Sequence, residues 1–492
     1  MIIKKQRTWF CLKFDFTSKM FLLLAMIIGM PIIMVVPFPD DRDFALSFTV
    51  PSMVTALIGI FMSKRDRLFH DKKIFGKQQE TVTVVGIWIY AFFIGSMPFL
   101  LSGQLNFVRA LFESVSGWTT TGLSVVDVEK TPPIYLFYRS LMQYCGGLGF
   151  VMLMLLFASG KNAMKLFSAE GHADRLEPNL RSTAKTMIFI YIGFTASGAT
   201  AYGILGMNWF DALNHAMAAL STGGFSTRSD SIGSFQSLPI EMVTIVLMLL
   251  GTTNFAILAL LLKGKFRTIL KIGELRFFSF LLVLSIPILT MSGLYGIYQN
   301  MADSLRAAIF QSVSALSTTG FSTVDISIWH ADMILLLILL MIIGGGAGST
   351  AGGLKYSRVY VLLKTLIADI KMRFLPERIV SESYTYKPQG KIYLTPKYVS
   401  DVSRFAFAYI VILLIGTLLT AFSGIPTETA LFEFTSALGT VGLSTGATGP
   451  TTQPFMLIVE MAGMILGRLE IFIVIVALVS LFSKPHKRID EM

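Results

Sequence analysis

Ser317-Thr318-Thr319-Gly320-Phe321-Ser322 follows a short apolar run, Ala307 to Leu316, and stands between two long apolar segments. The same pattern recurs as Thr120-Thr121-Gly122-Leu123-Ser124, Thr222-Gly223-Gly224-Phe225-Ser226 and Thr440-Val441-Gly442-Leu443-Ser444. A single Thr-Thr-Gly is an ordinary turn, because glycine is favoured in turns on its own account. Four copies with glycines at 122, 224, 320 and 442, a period of roughly a hundred residues, mark internal repetition.

The rest of the chain fits a membrane setting. Of 492 residues, 53% are hydrophobic and 14% charged, and the mean hydropathy is +0.67. That is too apolar for a soluble protein of several domains. The net charge of +11 resides in short basic clusters between apolar runs, not in a patch interleaved with stacking aromatics, so nucleic acid is not an expected partner. Cys11 and Cys145 are too few for a disulfide framework or a metal site and are expected to be free thiols.

In chain order, residues 1–79 hold two apolar runs, Met20 to Phe38 and Phe44 to Met62, followed by the cluster Lys64, Arg65, Arg67, Lys72, Lys73 and Lys77. The first run is long enough to cross a bilayer and no small-residue cleavage site follows it, so it reads as a span rather than a signal peptide. Four repeats follow, at 80–185, 186–276, 277–397 and 398–492. Each has a long apolar span, a short apolar run with its Thr-x-Gly loop, and a second span. The spans are Thr81 to Leu101 and Ile134 to Ser159, Met187 to Leu205 and Pro239 to Leu262, Phe277 to Tyr298 and Met333 onward, and Phe405 to Phe422 and Met456 to Phe482. The short runs cannot cross a core that needs about 20 helical residues. They are expected to be re-entrant half-helices, since non-helical backbone at membrane depth is tolerated only where it lines a polar path or is buried in protein. The expected fold is therefore an all-α polytopic membrane protein of about ten spans, four membrane-pore-membrane repeats plus an N-terminal hairpin. An even count places both termini on one side, and the basic clusters, which then all fall on that side, mark it as cytoplasmic.

Loops of this composition have one evident use. Four Thr-Val-Gly-Tyr-Gly loops in potassium channels present backbone carbonyls that replace the hydration shell of the ion. Aiming successive carbonyls at one axis requires alternating backbone handedness, which glycine takes without steric cost. The expected ion-coordinating residues are Thr120, Thr121 and Gly122, Thr222, Gly223 and Gly224, Thr318, Thr319 and Gly320, and Thr440, Val441 and Gly442. A second feature is the interruption Gly344-Gly345-Gly346-Ala347-Gly348-Ser349-Thr350-Ala351-Gly352-Gly353. It lacks the Lys-Ser/Thr ending of a phosphate-binding loop, and glycine with Ser and Thr at mid-membrane suits an unwound constriction beside a water path. Gly344, Gly345, Gly346, Gly348, Ser349, Thr350, Gly352 and Gly353 are thus expected to form a gate, together with Arg468, a cation in the middle of an apolar run where it must face the pore or a partner. Glu470 stands two residues on and is not expected to pair with it.

These residues resemble the Trk/Ktr/HKT superfamily of cation transporters, whose members carry four membrane-pore-membrane units in one chain. The likeness rests on the four loops, on Arg139-Ser140 with Gln143 and Gly146-Gly147-Leu148-Gly149, on the Gly-Ser-Thr-Ala-Gly-Gly break, and on Gly467-Arg468-Leu469-Glu470-Ile471-Phe472. The N-terminal hairpin is similar to that of the Trk-type membrane subunit, whereas the fourth loop is closer to the Ktr pattern. The resemblance implies potassium uptake as the activity, K+ as the transported ion with no organic cofactor, a homodimer in a bacterial inner membrane, and a cytoplasmic nucleotide-binding regulatory ring of the TrkA or KtrA type as partner. Sodium-passing plant relatives tend to carry Ser at the first loop glycine, where this chain has Gly122. The alternative is coupled potassium/proton or potassium/sodium symport. Inverted-repeat alternating access is disfavoured because all four repeats run in the same orientation.

Arg139, near the outer end of its span, suits a snorkelling anchor as well as a functional role. Asp211 and His215 read as caps or packing polar groups of the second short helix. With no nucleophile-base pair, metal cluster or dinucleotide fingerprint in the sequence, an enzyme is not expected.

Overall fold

A computed structural model describes residues 17–68, 78–149, 180–294, 296–374, 376 and 383–482. It is helical, with one two-stranded hairpin among the described residues, β1 (Tyr384–Lys387) and β2 (Gly390–Tyr393). The N-terminal hairpin is α1 (Thr17–Val35) and α2 (Ala45–Leu68). The first repeat comprises α3 (Gln78–Leu101), the short α4 (Phe107–Trp118) and α5 (Pro133–Leu148). In the second are α6 (Leu180–Ile204), the short α7 (Trp209–Leu220), α8 (Leu238–Thr252) and α9 (Phe255–Leu262). The third has α10 (Gly273–Gly293), the short α11 (Met301–Ser317), α12 (Ala331–Ile343) and α13 (Tyr356–Met372). The fourth has α14 (Pro396–Ala421), the short α15 (Thr427–Gly439), α16 (Pro454–Arg468) and α17 (Ile471–Phe482).

The first three short helices open alike: the side chains of Asn106, Asn208 and Asn300 accept the amides of Arg109, Asp211 and Asp303 at 3.1, 2.8 and 2.9 Å. Such caps satisfy amides that the first helical turn leaves without partners. The short helices form the interior, and Phe112, Ala218, Phe310 and Phe432 on them are buried. Long helices turn large apolar side chains outward, as α10 does with Phe280, Val283 and Leu284, which a hydrocarbon surrounding accepts.

The repeats close on one another. α5 packs on α7, α8 on α11, α12 on α15, and α16 returns to α4. Each second helix therefore supports the short helix of the next repeat, and the fourth supports the first.

The second spans differ from expectation. Pro239 to Leu262 and Met456 to Phe482 read as continuous apolar runs, but α8 meets α9 at 114° and α16 meets α17 at 103°. Hydropathy sums over both limbs of a bend and cannot see it. The third repeat is broken at its glycines as expected, and α5 ends at Gly149, whose φ is 80°. The expected continuation to Ser159 lies outside the described residues. Among these, six helices are long and apolar enough to span a membrane, and eight spans result if each bent pair counts as one.

Candidate functional site

The four short helices end with their C-termini at the four Thr-x-Gly loops, which brings the partial negative ends of four helix dipoles to one place. In every loop the backbone is left-handed twice, two residues apart. The φ values are 55° and 95° at Thr120 and Gly122, 50° and 74° at Thr222 and Gly224, 56° and 83° at Thr318 and Gly320, and 48° and 96° at Thr440 and Gly442. Glycine was expected there. The threonines were not, because a β-branched residue at positive φ is an outlier that persists only where the surroundings over-determine it. The surroundings do so here. The amides of Thr121, Gly223, Thr319 and Val441 turn back onto carbonyls of their own helices, Ser116, Ala218, Ser314 and Ser436, at 2.8 to 3.1 Å. With the N–H held inward, the carbonyl of the same residue is free to face the neighbouring loop.

The loops close a ring. A Cβ on Gly122 would overlap the carbonyl oxygen of Gly223, one on Gly224 that of Thr319, one on Gly320 that of Val441, and one on Gly442 that of Thr121. The order is one, two, three, four and back to one. Glycine is required at these four positions twice over, by handedness and by the approach of the next carbonyl.

The shared register of four supporting side chains, of which only His215 was singled out from the sequence, emerges from the structure. Glu113, His215, Gln311 and Glu433 occupy one register of the short helices, each eleven residues before the serine that ends its loop. Ser124 Oγ lies 3.1 Å from Glu113, Ser226 Oγ 2.9 Å from His215 Nε2, Ser322 Oγ 2.9 Å from Gln311 Nε2 and Ser444 Oγ 2.8 Å from Glu433. The constant spacing was available in the sequence, but the differing residue types hid it. Of the two readings offered for His215, cap or packing polar group, the second holds: it is a buried strut between its helix and Ser226. The cap is Asn208, and Asp211 receives Thr227 at 2.5 Å and Arg228 at 2.7 Å.

Arg139 is buried and pairs with Glu113 at 2.6 Å, so it is no snorkelling anchor. It also donates to the Ser226 carbonyl at 3.3 Å and stacks 4.1 Å from the Phe225 ring. Gln143 donates to the Gly223 carbonyl and accepts the Phe225 amide at 3.0 Å. Both residues fix the second loop from the first repeat. Cys145 is a free thiol, and Cys11 lies outside the described residues.

The glycine-rich segment lies against the threonine side of the ring. Gly345 N–H donates to Gly352 at 3.2 Å and Leu354 N–H to Ile342 at 3.0 Å, so the segment is a closed excursion between α12 and α13. Gly344, Gly348 and Gly353 have φ of 67°, 69° and 77°. The segment satisfies the backbone freed by the bend in the second repeat: Gly346 N–H donates to Thr252 at 3.1 Å and Thr350 N–H to Gly251 at 3.4 Å. In a bilayer such carbonyls have no water to turn to. Ser349 Oγ donates within the segment, to Gly346, at 2.8 Å.

Its contacts with the ring are direct but unequal. Gly352 N–H donates to Thr318 Oγ1 at 2.8 Å, and Thr350 Oγ1 lies 3.1 Å from Thr222 Oγ1. A Cβ on Gly352 would overlap Thr440 Oγ1. The hydroxyls of Thr120 and Thr440 are buried without a hydrogen-bond partner. Arg468, at the end of α16, donates to the carbonyls of Thr350 at 2.8 Å, Gly147 at 3.0 Å and Gly146. Glu470, with φ of 63°, pairs with Arg358 at 2.6 Å. The arrangement is a closed ring of four loops, each glycine against a carbonyl of the next, with a glycine-rich segment hydrogen-bonded to its threonines.

A family of cation transport proteins, TrkH, matches residues 52–486. The Trk system potassium uptake protein TrkH of Halomonas elongata is 30% identical over 466 residues, covering 91% of this chain and 93% of that protein. TrkG of Escherichia coli K12, also a Trk system potassium uptake protein, is 32% identical over 413 residues, covering 80% and 83%. The crystal structure of the potassium transporter TrkH from Vibrio parahaemolyticus superposes with a TM-score of 0.83 at 27% identity, covering 97% of this chain and all of that one.

Proposed function

Because the chain belongs to the TrkH family of cation transport proteins, we propose that it takes up potassium through a single-file pore lined by the four Thr-x-Gly loops. The observation that carries this reading is the closed order of the ring, in which each loop glycine lies against a carbonyl of the next. A dehydrated cation at the centre meets oxygens from all four repeats, and the short helices direct their negative ends at it. The family relatives are potassium uptake proteins by name, and Gly122 keeps the first loop free of a side chain that would displace its neighbour.

In this reading the segment Gly344 to Gly353 is the gate, and Arg468 holds it shut through the Thr350 carbonyl. The chain functions as a homodimer in the bacterial inner membrane, both termini cytoplasmic, with a nucleotide-binding ring acting on the gate from the basic side. The test is voltage-clamped flux in liposomes with potassium, sodium and a pH gradient. A reversal potential that follows the potassium gradient alone supports a pore. One that moves with the pH or sodium gradient replaces it with coupled symport, and absence of cation flux overturns both.

A further inference from the structure

The first and fourth repeats both hold their loop by a glutamate strut, but the residue that faces the strut differs. Pro133 and Pro454 open α5 and α16, and at the same register beyond them stand Arg139 and Glu460. Later in each helix, Gly146 and Gly467 close onto equivalent short-helix carbonyls, Trp118 and Leu438, which fixes the correspondence. In the first repeat the strut Glu113 faces a guanidinium. Its counterpart Glu433 faces a second carboxyl.

Both Glu433 and Glu460 are fully buried. Thr448 Oγ1 sits between them, 2.9 Å from Glu433 Oε2 and 2.7 Å from Glu460 Oε1. Glu433 Oε1 receives Ser444 Oγ at 2.8 Å, Thr445 N–H at 2.8 Å and Thr445 Oγ1 at 2.9 Å. Glu460 Oε2 has no hydrogen-bond partner. A hydroxyl carries one proton, and an ionised carboxylate can only accept. Thr448 can therefore donate to one carboxyl alone, and its contact with the other requires a proton on that carboxyl. Placing the proton on Glu433 would leave Glu460 as a buried carboxylate with one donor and a bare oxygen. Placing it on Glu460 leaves Glu433 as a carboxylate with four donors.

We infer that Glu460 is a proton-binding site: a neutral carboxylic acid that donates to Thr448, which in turn donates to the Glu433 carboxylate anchoring the fourth loop. The inference rests on the reading of that loop as part of a potassium pore. The charged or titratable side chains on the elements packed against α16 are Arg109 and Glu113 on α4, Glu428 and Glu433 on α15, and Lys397, Tyr398, Asp401, Arg404 and Tyr409 on α14, while the described side chains of α17 carry none. Glu113 is taken by Arg139, and among these groups Glu433 alone shares a hydrogen-bond partner with Glu460. Loss of the proton sets a second negative charge beside Glu433, with no cation bonded to either carboxyl among the described residues, breaks the bridge through Thr448 and loosens the fourth loop.

The test is infrared difference spectroscopy of the full-length protein in liposomes, titrated from neutral to alkaline pH, with flux measured on the same samples. A protonated carboxylic acid band that disappears on titration in the parent and is missing in E460Q is the expected result. Potassium flux of the parent falls across the same pH range, and E460Q, whose amide still donates to Thr448, loses that dependence. Should E460Q fail to assemble, T448V decides instead: the band shifts as its acceptor is removed. A band that persists unchanged in E460Q, or in T448V when that variant decides, or a pH profile of E460Q matching the parent's, overturns the assignment. A parent that shows the titrating band but no potassium flux overturns the pore reading and leaves the proton site standing.

Discussion

Arg468 and Thr350 stand 118 positions apart and meet at 2.8 Å, the guanidinium donating to a carbonyl of the glycine-rich segment. The same guanidinium reaches the carbonyls of Gly146 and Gly147 in the first repeat. One side chain thus joins the fourth repeat, the first repeat and the excursion of the third. A cation in the middle of an apolar run is costly, and the three carbonyl acceptors offset part of that cost.

Arg468→Ala removes these bonds together. Losing even one charge-assisted bond, about 1.5 kcal/mol, moves an equilibrium between closed and open segments roughly tenfold. Potassium flux of the variant is expected to rise by about that factor, measured in liposomes after size-exclusion chromatography establishes assembly. Failure to recover assembled protein assigns Arg468 a structural role only.

Gly122→Ser introduces a Cβ where the Gly223 carbonyl already lies, at φ of 95°. The second loop must retreat, and with it an oxygen of the ring. Reversal potentials in mixed potassium and sodium are expected to show lost discrimination, with expression close to the parent's. Unchanged selectivity at normal conductance removes the first loop from the filter.

Arg139→Gln leaves the Glu113 carboxylate buried beside a neutral partner. Breaking a buried pair by removing one member costs about 3 to 5 kcal/mol, so the thermal midpoint in detergent should fall clearly. Replacing both partners, as E113Q with R139M, should restore most of it. A double variant as unstable as the single one would show that the ion pair itself is not what the site lacks.

Deleting Gly345 to Gly352 joins segments that already touch, since Gly344 lies against Gly353 and the ends of the excursion are hydrogen-bonded. Flux is expected to rise and its dependence on the nucleotide state of a regulatory partner to weaken. A well-assembled deletion variant that conducts like the parent and responds fully to nucleotide excludes this segment as the gate.

Much of this was legible in the linear chain because it depends on local rules. A Thr-x-Gly loop after a short apolar run is recognisable four times over, and Gly344 to Gly353 is too rich in glycine to hold a helix, each glycine costing about 1 kcal/mol relative to alanine. The bends after Thr252 and at Glu470 carry no such mark. The first is held by Asn254, whose side chain accepts the Ala256 amide at 2.7 Å, and by the glycine segment, which takes up the carbonyls the break exposes.

The sequence by itself determined the number of repeats, the membrane setting and two kinds of unwound backbone, the Thr-x-Gly loops and Gly344 to Gly353, because hydropathy and glycine content act over a few residues at a time. Tertiary structure alone decided that the loops meet in chain order, that the loop threonines are left-handed, that Arg139 pairs with Glu113 and that Glu460 meets Glu433 through Thr448. The first and the last two join residues from separate segments, and in the polar pairs the partner is chosen by which buried donor or acceptor would otherwise go unsatisfied once the helices have packed.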